Sequence, residues 1–139
     1  MSENISPTDN YRERLTQLRE ALLHLHKALV DSERFSYEQN IGSIPSPGHF
    51  LQLLTNDPWF AWLHPVSELI VAMDTALDAK KPLTPEGAEV LVKQARTLLV
   101  VSETGEGFAR HYYEAVQRDP DVLFAHVTAS RIVNPKPAK

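Results

Sequence analysis

Five times in this chain a Ser, Thr or Asp, each a good helix N-cap, stands directly before a proline: Ser6 Pro7, Ser46 Pro47, Asp57 Pro58, Thr84 Pro85 and Asp119 Pro120. A Ser, Thr or Asp side chain accepts a hydrogen bond from the second or third N–H of a helix. Proline suits the first helical position, where its missing N–H would have no intrahelical partner. One rule therefore predicts five helix starts spread along the whole chain.

The first of these, at Pro7, has Ser6 and Asp9 in the places of a capping box. Its apolar residues Tyr11, Leu15, Leu18, Leu22, Leu25 and Leu29 recur at steps of 4, 3, 4, 3 and 4, which is a heptad seam. At Ser32 and Ser36 the seam turns polar, while Phe35 and Tyr37 place packing on another side until Gly42 ends the helix. Such a helix, about 33 residues long, would span about 50 Å, more than a domain of this size is wide. It must overhang, bend or meet a second chain. Leu15, Leu18, Leu22, Leu25 and Leu29 are accordingly the expected homodimer interface, with packing inside a single bundle as the alternative.

The densest burial is expected between Asn56 and Ala79, which holds both tryptophans with Phe60 between them. A helix should start at Pro58. Pro65 lacks an N–H and crowds the carbonyl of Ala61, a cost of about 3 kcal/mol inside a helix, so Trp59 to Leu63 should meet the following helix at an angle. That next helix carries the apolar stripe Val66, Leu69, Ile70, Met73 and Leu77. His64, Pro65, Ser67 and Glu68 interrupt the apolar run, which argues against a membrane span.

The string Asn56 Asp57 Pro58 Trp59 Phe60 Ala61 Trp62 Leu63, followed by Pro65 and Ser67 Glu68 Leu69 Ile70, resembles one in a family of short, uncharacterised, all-helical bacterial proteins. The resemblance covers mainly the first two thirds of the chain. It implies a bacterial cytosolic protein and transfers no catalytic residue.

A short helix from Pro47 to Thr55 with Phe50, Leu51, Leu53 and Leu54 should precede the aromatic stretch, and Lys80 Lys81 should close the hairpin at a helix C-terminus. From Pro85 to about Ser102, Ala88, Leu91, Val92, Ala95, Leu98 and Leu99 repeat at helical spacing. The following Thr104 Gly105 Glu106 Gly107 is no dinucleotide loop, because Arg110 stands in the third glycine's place and the helical stripe runs through the supposed strand. Gly105 and Gly107 instead break the chain before a stripe of Phe108, Tyr112, Ala115 and Val116. The final helix should run to about Val133 with Leu123, Phe124 and Val127 inward. The expected fold is all-α: a bundle of about five or six helices with a long N-terminal helix and a Pro-kinked aromatic hairpin. Residues 1–133 would form one domain and 134–139 a disordered tail.

Composition narrows the chemistry. The chain has no cysteine, which excludes disulfides, thiolate zinc sites and a cysteine nucleophile. Its net charge is −4, and Ile41 to Ala79 contains four acids and no Lys or Arg, so nucleic acid is an improbable partner. Met1 Ser2 Glu3 Asn4 carries neither a basic region nor an apolar signal core, and a cytoplasmic setting is expected.

Six histidines raise the question of a metal, yet the chain lacks the Glu-x-x-His spacing of di-iron bundles and the i, i+4 histidines of zincins. His64, Glu68, His111, Glu114 and His126 would be the first ligands to test. Asp74 and Asp78 share a helix face, and Glu68 among apolar neighbours would have a raised pKa if buried, with Arg96, Arg110 or Arg131 as possible counterions. Two functional readings follow. The first is a non-enzymatic interaction or assembly module, homodimeric through the leucine seam, without cofactor, nucleic acid or membrane. The second is a small-ligand or metal-binding bundle with a pocket at Trp59, Trp62, His64 and Glu68.

Overall fold

In a computed structural model, which describes residues 7–78, 80 and 82–135, every regular element is helical. The order is α1 (Pro7–Asn40), α2 (Pro47–Asn56), a 3-10 helix (Pro58–Leu63), α3 (His64–Leu77), α4 (Pro85–Leu98), α5 (Phe108–Arg118) and α6 (Pro120–Val133). The cap-proline rule holds at each described cap. Ser46 Oγ accepts from His49 N, Asp57 from Trp59 N, Thr84 Oγ1 from Gly87 N and Asp119 from Asp121 N. The proposed cap at Ser6 and the tail from Lys136 onward lie outside the described residues, as does Lys81.

Helix α1 is the spine. It has 34 residues, about 51 Å at 1.5 Å each, and α3, α4 and α6 pack along it. Helices α3 and α6 run antiparallel to α1, because arginines near its start clamp both of their C-termini. Arg12 Nη1 donates to the Leu77 carbonyl at 2.8 Å, and Arg14 donates to the carbonyls of Ile132 and Val133 at 3.1 to 3.4 Å. Arg96 of α4 donates to Val133 O as well, at 2.9 Å. The last carbonyls of a helix lack intrahelical partners and carry the negative end of its dipole, so a guanidinium there satisfies both needs.

The leucine seam is consumed inside the chain. Leu15, Leu18, Leu22, Leu25 and Leu29 are 0 to 1% exposed in a single molecule, which corrects the expectation that they form a dimer interface. Each buried leucine is worth about 1.5–3 kcal/mol, and separating the seam for a second chain would forfeit that. The polar end of the seam is used too. Ser32 is buried and Glu33 is only 7% exposed, and Arg118 at the end of α5 donates to Ser32 Oγ at 2.9 Å and Glu33 Oε2 at 2.8 Å.

The excess length of α1 is covered by the aromatic stretch. Tyr37 meets Trp59 edge-on at 5.7 Å and Phe60 at 5.5 Å, while Phe50 of α2 meets Phe60 at 5.7 Å. Pro65 does not kink a continuous helix there: residues 58–63 form a 3-10 helix and Pro65 sits in the first turn of α3, where its missing N–H is harmless. Helix α4 ends at Leu98, short of the expected Ser102, and Gly107 with φ 60° opens α5, a conformation that favours glycine.

Candidate interaction surface

Helix α6 carries two apolar stripes, and the bundle uses only one. Val122, Ala129 and Val133 are 0% exposed, with Ala125 and Ile132 partly buried beside them. Leu123 is 46% exposed and Phe124 77%. The expectation that Leu123, Phe124 and Val127 point inward is corrected: the first two point to solvent and Val127 is half-buried.

Two contacts set this rotation. Helices α1 and α6 pack along each other, and Ala21 and Ala28 of α1 with Ala125 of α6 present little bulk between them, lining one trough. On the other flank Tyr112 of α5 hydrogen-bonds His126 Nδ1 at 2.6 Å, which turns residue 126 toward α5. Residues two apart on a helix diverge by about 200°, so Phe124 is directed outward.

An open groove of about 310 Å³ lies between α1 and α6, walled on one side by Phe124 itself and lined otherwise by Ala21, His24, Ala28, Asp121, Ala125 and Thr128. It runs on past Lys27 and Asp31, an exposed pair at 2.8 Å, to Asp119. Phe35 and Leu51 are also exposed, each at 64%, but Phe124 at 77% is the most exposed large hydrophobic among the described residues and the one that borders this trough.

The tryptophan region is built for packing. Trp62 stacks on His111 at 5.2 Å and meets Phe108 at a tilt at 5.5 Å, Phe108 stacks on Tyr112 at 5.6 Å, and Tyr112 meets His126 at 5.5 Å, so one aromatic ladder ties the 3-10 helix to α5 and α6. Burial pushes the Tyr112 hydroxyl up and lowers the His126 imidazole below its ordinary value of 6.5. With His126 neutral, the Tyr112 hydroxyl donates to Nδ1 in one imidazole tautomer and accepts from Nδ1–H in the other. Trp59 Nε1 and Trp62 Nε1 are both buried without an acceptor among the described residues, a cost of about 1–3 kcal/mol each.

The other candidate ligands do not converge. His64 Nε2 donates to the Leu54 carbonyl at 3.1 Å and so fastens α2 to α3. Glu68 is exposed, contrary to the apolar setting expected for it, and lines a groove of about 390 Å³ between α3 and α4 with Leu69, Gln94 and Leu98. Two of its three possible counterions are engaged elsewhere: Arg96 caps α6 and Arg110 pairs with Glu114 at 3.0 Å. Asp74 pairs with Arg19 at 2.8 Å and Asp78 is the residue that ends α3. Among the described residues no three His, Asp or Glu side chains are grouped to hold a metal ion. Within the same residues no helix is long and apolar enough to cross a membrane. No protein-family model, curated protein or solved structure matches this chain.

The sequence places α6 itself, but its exposed face was missed because the larger hydrophobics were given to the core. A signal was present: apolar residues at 122, 123, 124, 125, 127, 129, 132 and 133 occupy more than one face, as in a helix that meets neighbours on two sides.

Proposed function

We propose that the chain is a non-enzymatic interaction module that docks through the outer face of α6. The observation that carries this reading is the unpartnered stripe of Leu123 and Phe124 beside the α1/α6 groove. Burying a phenylalanine side chain is worth about 1.5–3 kcal/mol, and central aromatic anchors dominate interface energies. The bacterial, cytosolic setting implied by the resemblance belongs to the same proposal.

A photo-crosslinking amino acid placed at position 124, in cells producing the chain, tests the reading. We expect a discrete adduct from position 124 and none from position 90 on the outer side of α4. The absence of an adduct at 124, or equal labelling at both positions, overturns it.

The second reading, a small-ligand bundle near Trp59 and Trp62, draws on their two acceptor-less indole N–H groups. A ligand carrying a carbonyl or carboxylate would supply the missing acceptors. Tryptophan emission is its test: a panel of metals and small carboxylates that leaves the emission unchanged removes the reading.

A further inference from the structure

We infer that the occupant of the α6 face is a second copy of this chain, its own α6 lying antiparallel across the first. This inference rests on the docking role proposed above and adds the identity of the partner. A two-fold contact uses one patch on both molecules, so the patch must be complementary to itself.

The exposed residues of α6 meet that condition. Asp119 and Asp121 stand at its first turn, with Asp31 of α1 lining the same groove, and Arg131 is exposed in the last turn. Asp121 and Arg131 are about 15 Å apart along the helix. A two-fold at the level of His126 places Asp121 of each protomer over Arg131 of the other, so opposite charges meet twice. A parallel arrangement would set acid against acid and arginine against arginine. Antiparallel helices also oppose their dipoles.

The same axis places Phe124 opposite the partner's Thr128, and Thr128 lines the groove beside Phe124. One operation therefore satisfies both the charges and the exposed ring: each Phe124 enters the other molecule's trough over Ala21, Ala28 and Ala125. Neither the leucine seam nor the aromatic ladder has to open.

Sedimentation velocity of the full chain over a range of concentrations is the test. The unmodified protein should reversibly dimerise, and Phe124→Ser should weaken the dimer by about 30-fold, the loss expected for a central aromatic anchor. Asp121→Arg and Arg131→Asp should each weaken it by about tenfold, and the doubly reversed chain should recover to within about threefold of the original. Unchanged circular dichroism shows that each variant folds.

A chain that stays monomeric, a dimer indifferent to Phe124→Ser, or a double reversal no better than the single ones overturns the inference. An adduct at position 124 that is not twice the mass of the chain also overturns it, while leaving the docking role intact. Loss of that role would show as no adduct at all.

Discussion

Helix α1 and helix α6 each present an apolar stripe, and the two stripes have opposite fates. On α1, five leucines at heptad spacing are sealed in one molecule, and where the stripe becomes polar Arg118 meets Ser32 and Glu33. On α6, small residues face the bundle while Leu123 and Phe124 face water. The regular, strongly patterned stripe is sealed in the core, and the irregular one is left exposed. Heptad regularity measures how well a helix can be buried, and says nothing of which molecule does the burying.

The sharpest way to break this contrast is in the seam. Leu22→Ala should lower unfolding stability by about 2–5 kcal/mol in a urea titration, since the core around it cannot fully collapse. A loss below about 0.5 kcal/mol would mean that the seam is loosely packed and open to a second chain after all.

Arg118→Ala comes next. It leaves Ser32 and Glu33 buried without their donor, and a loss of about 1–3 kcal/mol is expected. Half of that should return in Glu33→Gln/Arg118→Ala, because the orphaned group is then uncharged.

Thr84→Ala removes the cap that accepts from Gly87 N and should cost about 1 kcal/mol, read as a fall in melting temperature.

A gentler effect should appear with pH. Burial lowers the pKa of His26 and His126 from 6.5 in the folded chain, so the unfolded chain binds more protons below that value. Their contribution is complete above pH 6.5 and lost as the pH falls from there through the depressed folded values. Stability should therefore decline on acidification below 6.5, and His126→Gln should make the decline shallower. An identical slope in the variant would remove His126 from the account.

The smallest change is expected at the other stripe. Phe124→Ser should alter the unfolding stability of the monomer by no more than about 0.5 kcal/mol. A loss comparable to that of Leu22→Ala would place Phe124 in the core and erase the distinction between the two helices.

Much of the architecture was legible in the residues. Cap-proline pairs mark helix starts because capping is a local matter of one side chain and two N–H groups, and the described pairs all behave that way. The break at Gly107 and the stripe of α3 were equally local. Pro65 predicts a kink or break after Trp62, and the change from 3-10 to α geometry that puts it harmlessly in the first turn of α3 is not written in the local residues. The exposed face of α6 was not legible: Glu68 and His64 stand out in sequence as polar residues among apolar ones, yet the first is exposed and the second is an anchor for α2.

Taken alone, the chain's residues settled that it is helical, where its helices begin, and that α1 has a seam worth burying, since periodicity and caps act within a few residues. Tertiary structure alone decided that the seam is closed by α3, α4 and α6 of the same molecule. It alone also decided that α6 turns its small side inward. The rotation of a helix about its own axis is set by its neighbours: here the packing of α6 along α1 and the Tyr112 to His126 hydrogen bond outweigh the greater hydrophobicity of Phe124.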